Sequence, residues 1–433
     1  MKFFFADSLD TIDPGFDFHK EEFTADRRVQ HDDVYPHEFF EAAPYDGMLV
    51  SRAVVGDVGI KGKYTTSQSI RFRRDGARAF LRYQGPILLG DCGAFSYVRQ
   101  EKPPYDIGEM IDYYGECGFT HAVSIDHVIL GYDESLDGAT LFHGRTEPLN
   151  NPAVPAEWKR RYDLTLDLAE KFLHECQKQR APFQPIGIAQ GWSPFSYRDA
   201  VKRLVDMGYD YVALGGMVPL MAPQVLRVLE AVREVAPDVK LHLFGFAKVD
   251  DLHRFVPFNL ESFDSTSPLL RAFKDGSKNY LGQGRWFTAI RIPDADENNQ
   301  FKRDILAGVK VQAELRALEE KSLQAVRAFA AHQIGVEEAL HPIEAYAKQM
   351  DKKVPIYAYR DVLAARPWAS CACRVCREVG VEVIVFRGSN RNRRRGFHNL
   401  WAFHQQLRAL MGGHQGIGAP LTAPPVAQPM AQI

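Results

Sequence analysis

Cysteine is scarce in this sequence, with six thiols in 433 residues. A chain of this length builds its core without cross-links, so a disulfide scaffold is not expected and any clustering of thiols is informative. Long apolar runs are missing as well. No stretch approaches the roughly 20 residues that span a bilayer, so no membrane partner is expected. The start, MKFFFADSLD, is a short apolar run broken by Asp7 and Asp10, without a signal-peptide core or cleavage site. A cytoplasmic location is expected, where thiols stay reduced and clustered ones bind metal rather than pair. An excess of one charge is also absent: 53 basic and 55 acidic side chains leave a formal net charge of −2. A nucleic acid would therefore have to meet a local patch.

What is present begins with a rhythm. From about residue 49, short apolar runs end in polar residues or glycine: MLVSRAVV, PILLGDCG, HAVSIDHV, QPIGIAQG, DYVALGGM, KLHLFGFA and NLESFDST. Stretches of helical periodicity lie between several of them, such as SYRDAVKRLVDMG and APQVLRVLEAVREVAP. Strands alternating with helices predict parallel βα units. Their number suits an α/β fold of the (β/α)8 TIM-barrel kind, with a doubly wound sheet as the other option. The expected division is an N-terminal extension over 1–48, a barrel over 49–298, a helical insertion over 299–350, a zinc-binding subdomain with a closing helix over 351–411, and a disordered tail over 412–433, which is rich in Gly, Pro, Ala and Gln.

In a barrel of this kind the C-terminal strand ends surround one mouth, where chemistry sits. The strand ends carry Asp91, Asp126, Gln190, Gly215–Gly216 and Asp264. Each has a plain structural alternative. Asp264 in FDSTSPLL could cap a helix, Asp91 could stabilise a turn, and Asp126 could be a structural acid. His31, Asp32, Asp33 and His37 could hold a metal, but an exposed polar loop suits Asp and His better.

Three of the six thiols fall within six positions, as Cys371, Cys373 and Cys376. Tetrahedral Zn²⁺ needs a fourth ligand, and the nearest downstream histidines are His398 and His404. A catalytic zinc would keep an open position, and the deaminase signature H-x-E…P-C-x-x-C is absent, so a structural ion is the expectation. Cys92, Cys117 and Cys176 are isolated and read as core, with Cys92 beside Asp91 and so close to a pocket. Just before His398, RGSNRNRRRGFHN carries five arginines. Arg391, Arg393, Arg394 and Arg395 are read as a phosphate-binding edge, because a guanidinium fork matches phosphate; a solvated loop is the alternative.

Together these segments resemble the tRNA-guanine transglycosylase superfamily. GDCGAFS resembles its DSGGFQ segment, SIDHV the aspartate that reads the heterocycle, GIAQG its G-[IV]-x-Q-G segment, ALGGM its glycine turn, and ESFDS the strand end that holds the nucleophile. The CxCxxC followed by HN resembles its zinc knuckle, which implies His398 as fourth ligand. Ala94 and Ser96 depart from DSGGFQ, and only 21 residues separate Cys376 from His398. With the helical insertion, these departures place the resemblance closest to the DNA-guanine transglycosylase (DpdA) branch.

The resemblance implies a base exchange in which guanine in DNA is replaced by the 7-deazaguanine preQ0. Asp264 would be the nucleophile and Asp91 the general acid and base. Asp126 and Gln190 would read the heterocycle, Leu214, Gly215 and Gly216 would offer backbone groups, and Phe95 and Met217 would flank the ring. tRNA is the alternative polymer, an accessory protein of a DNA-modification system is a further possible partner, and a non-catalytic nucleic-acid-binding subunit is a third reading, against which the three aspartates argue.

Overall fold

The computed structural model describes residues 1–56, 61–137, 149, 151–246, 249–350 and 353–413. Eight parallel strands close into a barrel in sequence order: β1 Lys2–Ala6, β2 Gly47–Ser51, β3 Ile87–Asp91, β4 His121–Val123, β5 Gln184–Ala189, β6 Tyr211–Leu214, β7 Lys240–Leu243 and β8 Ser262–Asp264. The first strand pairs with both β2 and β8. The barrel therefore begins at Lys2 rather than at residue 49, and residues 1–48 are not an extension outside it. KFFFA was legible as a strand. Its place was not, because about forty residues, mostly turns and loop with the four-residue helix Pro36–Phe39, separate it from β2 instead of a long crossover helix.

Alternation along the strands decides which residues fill the barrel. Phe4, Leu49, Leu89, Val123, Ile186, Ile188, Tyr211 and Ala213 form one interior cluster. Phe3 and Phe5 face outward into the larger core between strands and helices, where Phe3 meets Phe263 and Phe403. Crossover helices such as Ala156–Gln179, Pro194–Met207 and Ala222–Val235 bury their apolar stripes against this outer face.

After the barrel come the helices Asn299–Leu306, Gln312–Ala330 and Val336–Ala347, in the segment expected to be a helical insertion. The segment VEVIVF, expected to be a strand, is a short 3-10 helix over Gly380–Ile384 followed by a two-residue strand, Val385–Phe386, which pairs with Ile290–Arg291. The arginine run is not a loop. It forms the first turns of the final helix, Ser389–Gly413, which packs along the helix Ser267–Lys274 that follows β8. The expected disordered tail lies outside the described residues from 414 onward. Among the described residues, no helix is long and apolar enough to cross a membrane.

Candidate active site and metal centre

The mouth of the barrel collects the strand-end residues. Asp91 closes β3 and accepts a hydrogen bond from the Gly93 N–H at 3.1 Å. Asp91 is only partly buried as a residue, yet its carboxyl is pushed up to about 7. Burial is the main cause, followed by the negative charge of Asp126 and, more weakly, that of Asp264. Asp126 lies three residues past β4 and is buried, which lifts it to about 6. The Cys92 thiol donates to Asp126 Oδ1 at 3.2 Å, and Gln190 Nε2 donates to Oδ2 at 2.6 Å. The Tyr97 hydroxyl lies 3.0 Å from both the Cys92 sulfur and the Asp126 carbonyl. Asp264, also buried, accepts from the Gly245 N–H through Oδ1 at 2.7 Å.

Gln190 is held at both ends of its amide, since its Oε1 accepts from the Ile129 N–H at 3.2 Å. That leaves its second N–H proton for a ligand. The paired glycines make this possible. A Cβ on Gly215 would lie 2.1 Å from Gln190 Nε2, and Gly216 has φ +72° with Ile129 O 2.8 Å from the place of its Cβ, so neither position accepts a side chain. The backbone of this turn is less free than expected. The Leu214 carbonyl accepts from Phe244 N–H, and Gly215 bonds Ala189 and Tyr197. Among the described residues, Gly216 keeps its peptide groups without such commitments. Met217 is buried, whereas Phe95 is half exposed at the rim.

The arginines depart from expectation. Arg391 is buried between Glu21, at 2.8 Å, and Glu382, at 2.5 Å. Arg394 bonds the carbonyls of Asp13 and Pro14 at 2.9 and 2.6 Å, and its guanidinium stands over the Phe39 ring. Arg395, fully buried, reaches the carbonyls of Val383, Val385 and Ala272. These three are committed to protein partners and cannot form a phosphate-binding edge. Arg393 alone stays partly accessible, 4.0 Å from Asp10. The run stitches the N-terminal segment to the closing helix.

The thiol cluster is assembled as expected. His398 Nδ1 lies 3.3 Å from the sulfurs of Cys373 and Cys376 and 3.7 Å from that of Cys371. The four ligand atoms all lie within 4.8 Å of one another. Tetrahedral zinc would hold sulfur and nitrogen ligands roughly 3.5 Å apart, so the donor set fits such an ion. The other ring nitrogen, Nε2, donates to the Leu281 carbonyl at 2.6 Å, which leaves Nδ1 its lone pair for a metal. Tyr280 stacks on the imidazole at 4.3 Å. His404 is elsewhere, 3.5 Å from Asp46. His31, Asp32, Asp33 and His37 form no cluster: Asp33 pairs with Arg27, Asp32 with Arg28, and His37 bonds Tyr45 and Leu81. Cys117 and Cys176 are core.

The residues missed were Tyr97, His242 and Gly245. All three reach the site through tertiary contacts, although the two-residue alternation of β7 already points His242 inward.

Comparison with known proteins agrees with this geometry. A family described as queuine tRNA-ribosyltransferase matches residues 61–285. A DNA-guanine transglycosylase of Salmonella montevideo is 41% identical over 419 residues, covering 94% of this chain and 97% of the relative. A queuine tRNA-ribosyltransferase of Chromohalobacter salexigens is 29% identical over 202 residues, covering 45% of this chain and 52% of the relative. The barrel with carboxylates at its mouth, the Cys3His knuckle and these matches lead to one conclusion: the chain belongs to the tRNA-guanine transglycosylase superfamily, as a guanine transglycosylase of the branch that resembles the DNA-guanine transglycosylases.

Proposed function

We propose that the protein exchanges guanine in DNA for the 7-deazaguanine preQ0 through a covalent Asp264 intermediate. The observation that carries the reading is the pairing at one mouth of a carboxyl that keeps its proton to about pH 7, Asp91, with a second carboxylate, Asp264, one of whose oxygens is already pinned. Two carboxyl groups at one mouth, one to attack and one to carry the proton, are what a retaining exchange at a sugar carbon requires. Asp264 attacks C1′ while Asp91 protonates the departing guanine. The incoming base gives its proton to Asp91 and displaces Asp264, so the strand is never cut. Asp126 accepts the ring N–H and exocyclic amine, as carboxylates do at such edges, and Gln190 donates its second amide N–H to the purine carbonyl. A base inside a duplex cannot reach a barrel mouth, so a DNA substrate must be extruded or single-stranded.

DNA rather than tRNA is favoured by the Salmonella montevideo relative, which aligns along nearly the whole chain, whereas the tRNA-type relative aligns over less than half. The test is incubation with preQ0 and either duplex DNA or tRNA, followed by nucleoside mass spectrometry. Deazapurine in DNA is expected. Its appearance in tRNA alone would reassign the polymer, and its absence from both would favour the non-catalytic subunit. Asp264→Asn should lower incorporation by at least ~10³-fold, as loss of a covalent nucleophile does, with unchanged thermal stability.

For the thiol cluster we propose one structural Zn²⁺ held by Cys371, Cys373, Cys376 and His398. Metal analysis of His398→Ala should show the ion lost and the C-terminal region destabilised. His404→Ala should keep it.

A further inference from the structure

A line of polar side chains climbs through the otherwise apolar barrel interior to Asp264. Alternation along β8 points Ser262 the same way as Asp264, and the register sets His242 of β7 beside Ser262. His242 is fully buried. Its Nδ1 lies 2.6 Å from Ser262 Oγ, which in turn lies 2.5 Å from the Tyr211 hydroxyl. Its Nε2 lies 3.4 Å from Asp264 Oδ1 and makes no hydrogen bond among the described residues. The ring is fixed from two sides, stacked on Phe4 and met edge-on by Phe244 at 4.7 Å.

The order of the chain fixes the tautomer. If Tyr211 donates to Ser262 and Ser262 donates to Nδ1, the imidazole carries its hydrogen on Nε2, facing a carboxylate. The reverse order would turn a lone pair toward Asp264, which is repulsive. A separation of 3.4 Å is long for a hydrogen bond, as such contacts commonly are before substrate binds. Gly245 N–H already holds the same oxygen.

We infer that His242 is a positioning residue which, together with Gly245, pins Oδ1 of Asp264 and leaves Oδ2 as the atom that attacks C1′, with Ser262 and Tyr211 holding the imidazole in the donating tautomer. This rests on the reading of Asp264 as nucleophile. In the step it serves, the Oδ2–C1′ bond forms as the C1′–N9 bond breaks. The bonding pair leaves on guanine N9, and the proton comes from Asp91. In the second displacement the pair returns to Oδ2 and the carboxylate is restored against the His242 N–H.

The experiment measures kcat and KM for preQ0 on duplex DNA in His242→Leu, His242→Gln, Ser262→Ala and Asp264→Asn. His242→Leu should lower kcat about 100-fold, the scale on which a misplaced reacting group costs rate, with KM for preQ0 within about 2-fold. His242→Gln, which restores an N–H at the same reach, should return to within about 10-fold of the parent. Ser262→Ala keeps the ring but frees its tautomer and should cost about 10-fold. Parent kcat in His242→Leu, or a glutamine variant no better than leucine, overturns the inference. If His242→Leu does not fold, Ser262→Ala decides, and parent kcat there overturns it equally. Full exchange by Asp264→Asn would instead remove the nucleophile reading itself.

Discussion

At the barrel mouth, Asp91 and Asp126 are carboxyls in a dense environment with no cation beside them among the described residues, and each holds its proton far longer than an ordinary aspartate. Along the start of the final helix, Arg387 is met by Glu21, Asp294 and Glu319, and Arg391 by Glu21 and Glu382. The first region carries charge of one sign without compensation. The second is a network in which each cation is answered. Desolvation acts on both. In the network opposite charges and hydrogen bonds offset it, and the outcome is a fixed seam between segments hundreds of residues apart. At the mouth only hydrogen bonds from groups such as Gly93, Cys92 and Gln190 oppose it, without an opposite charge, so the protons themselves become labile near neutral pH, which is what a group that gives and takes protons needs.

Neutralising a charge in the two regions should therefore change stability in opposite directions. The larger effect belongs to the seam. Arg391→Met leaves Glu21 and Glu382 short of a partner, and removal of one member of a buried pair costs 3–5 kcal/mol. About 3 kcal/mol is expected here, at the low end, because Arg387 and Arg327 still face the same carboxylates. Chemical denaturation measures it. A loss under about 0.5 kcal/mol, the range of an ordinary surface change, would show that the run is a solvated feature and break the comparison.

Asp91→Asn should act the other way. Above pH 7 the folded protein must hold an ionised, poorly solvated carboxylate that the unfolded chain solvates freely. Its folded pKa of about 7 exceeds the unfolded value near 3.9. Between those values the native state binds the extra proton, so the favourable contribution is whole below about pH 4 and is lost as pH rises through about 7. The asparagine variant lacks that slope and should be more stable than the parent at pH 8 by about 1–3 kcal/mol, while exchange collapses. In the parent, exchange should fall above about pH 7 as Asp91 loses the proton that the proposed mechanism has it give to guanine. The limb reports the Asp91–Asp126 pair rather than either residue alone. A variant less stable than the parent at pH 8 would mean that Asp91 is a structural turn acid.

The contrast also explains what could be read from the sequence. The thiol knuckle was legible because its spacing is local: CxCxxC places three ligands close together, and a histidine lies a short way downstream, inside the final helix. The strand-end acids were legible because parallel strands announce their ends with a change from apolar to polar residues, and a barrel gathers all such ends. The fate of the arginines was not. Arg391 is buried because Glu21, 370 residues earlier, comes back to meet it, and no local pattern distinguishes that from a basic loop. His242 escaped for the same reason, being one histidine in KLHLFGFA whose meaning depends on its neighbours across β8.

The smallest effect expected is at Arg393, and it tests where the seam stops. Its guanidinium is partly exposed, lies 4.0 Å from Asp10 and reaches the Thr11 carbonyl at 3.4 Å. A partly solvated pair at that separation contributes little, so Arg393→Ala should change stability by less than about 0.5 kcal/mol. It is also the one member of the run that a phosphate can approach without dismantling the ion pairs behind it. If a polymer passes this edge, Arg393→Ala should reduce the slope of log affinity against log salt by no more than about 0.9, the value of one duplex contact. Base choice should be untouched if, as proposed, the heterocycle is read inside the barrel. A stability loss approaching that of Arg391→Met would extend the compensated network to the surface. An unchanged salt slope would move the path of the polymer away from the final helix, toward the rim where Phe95 stands exposed.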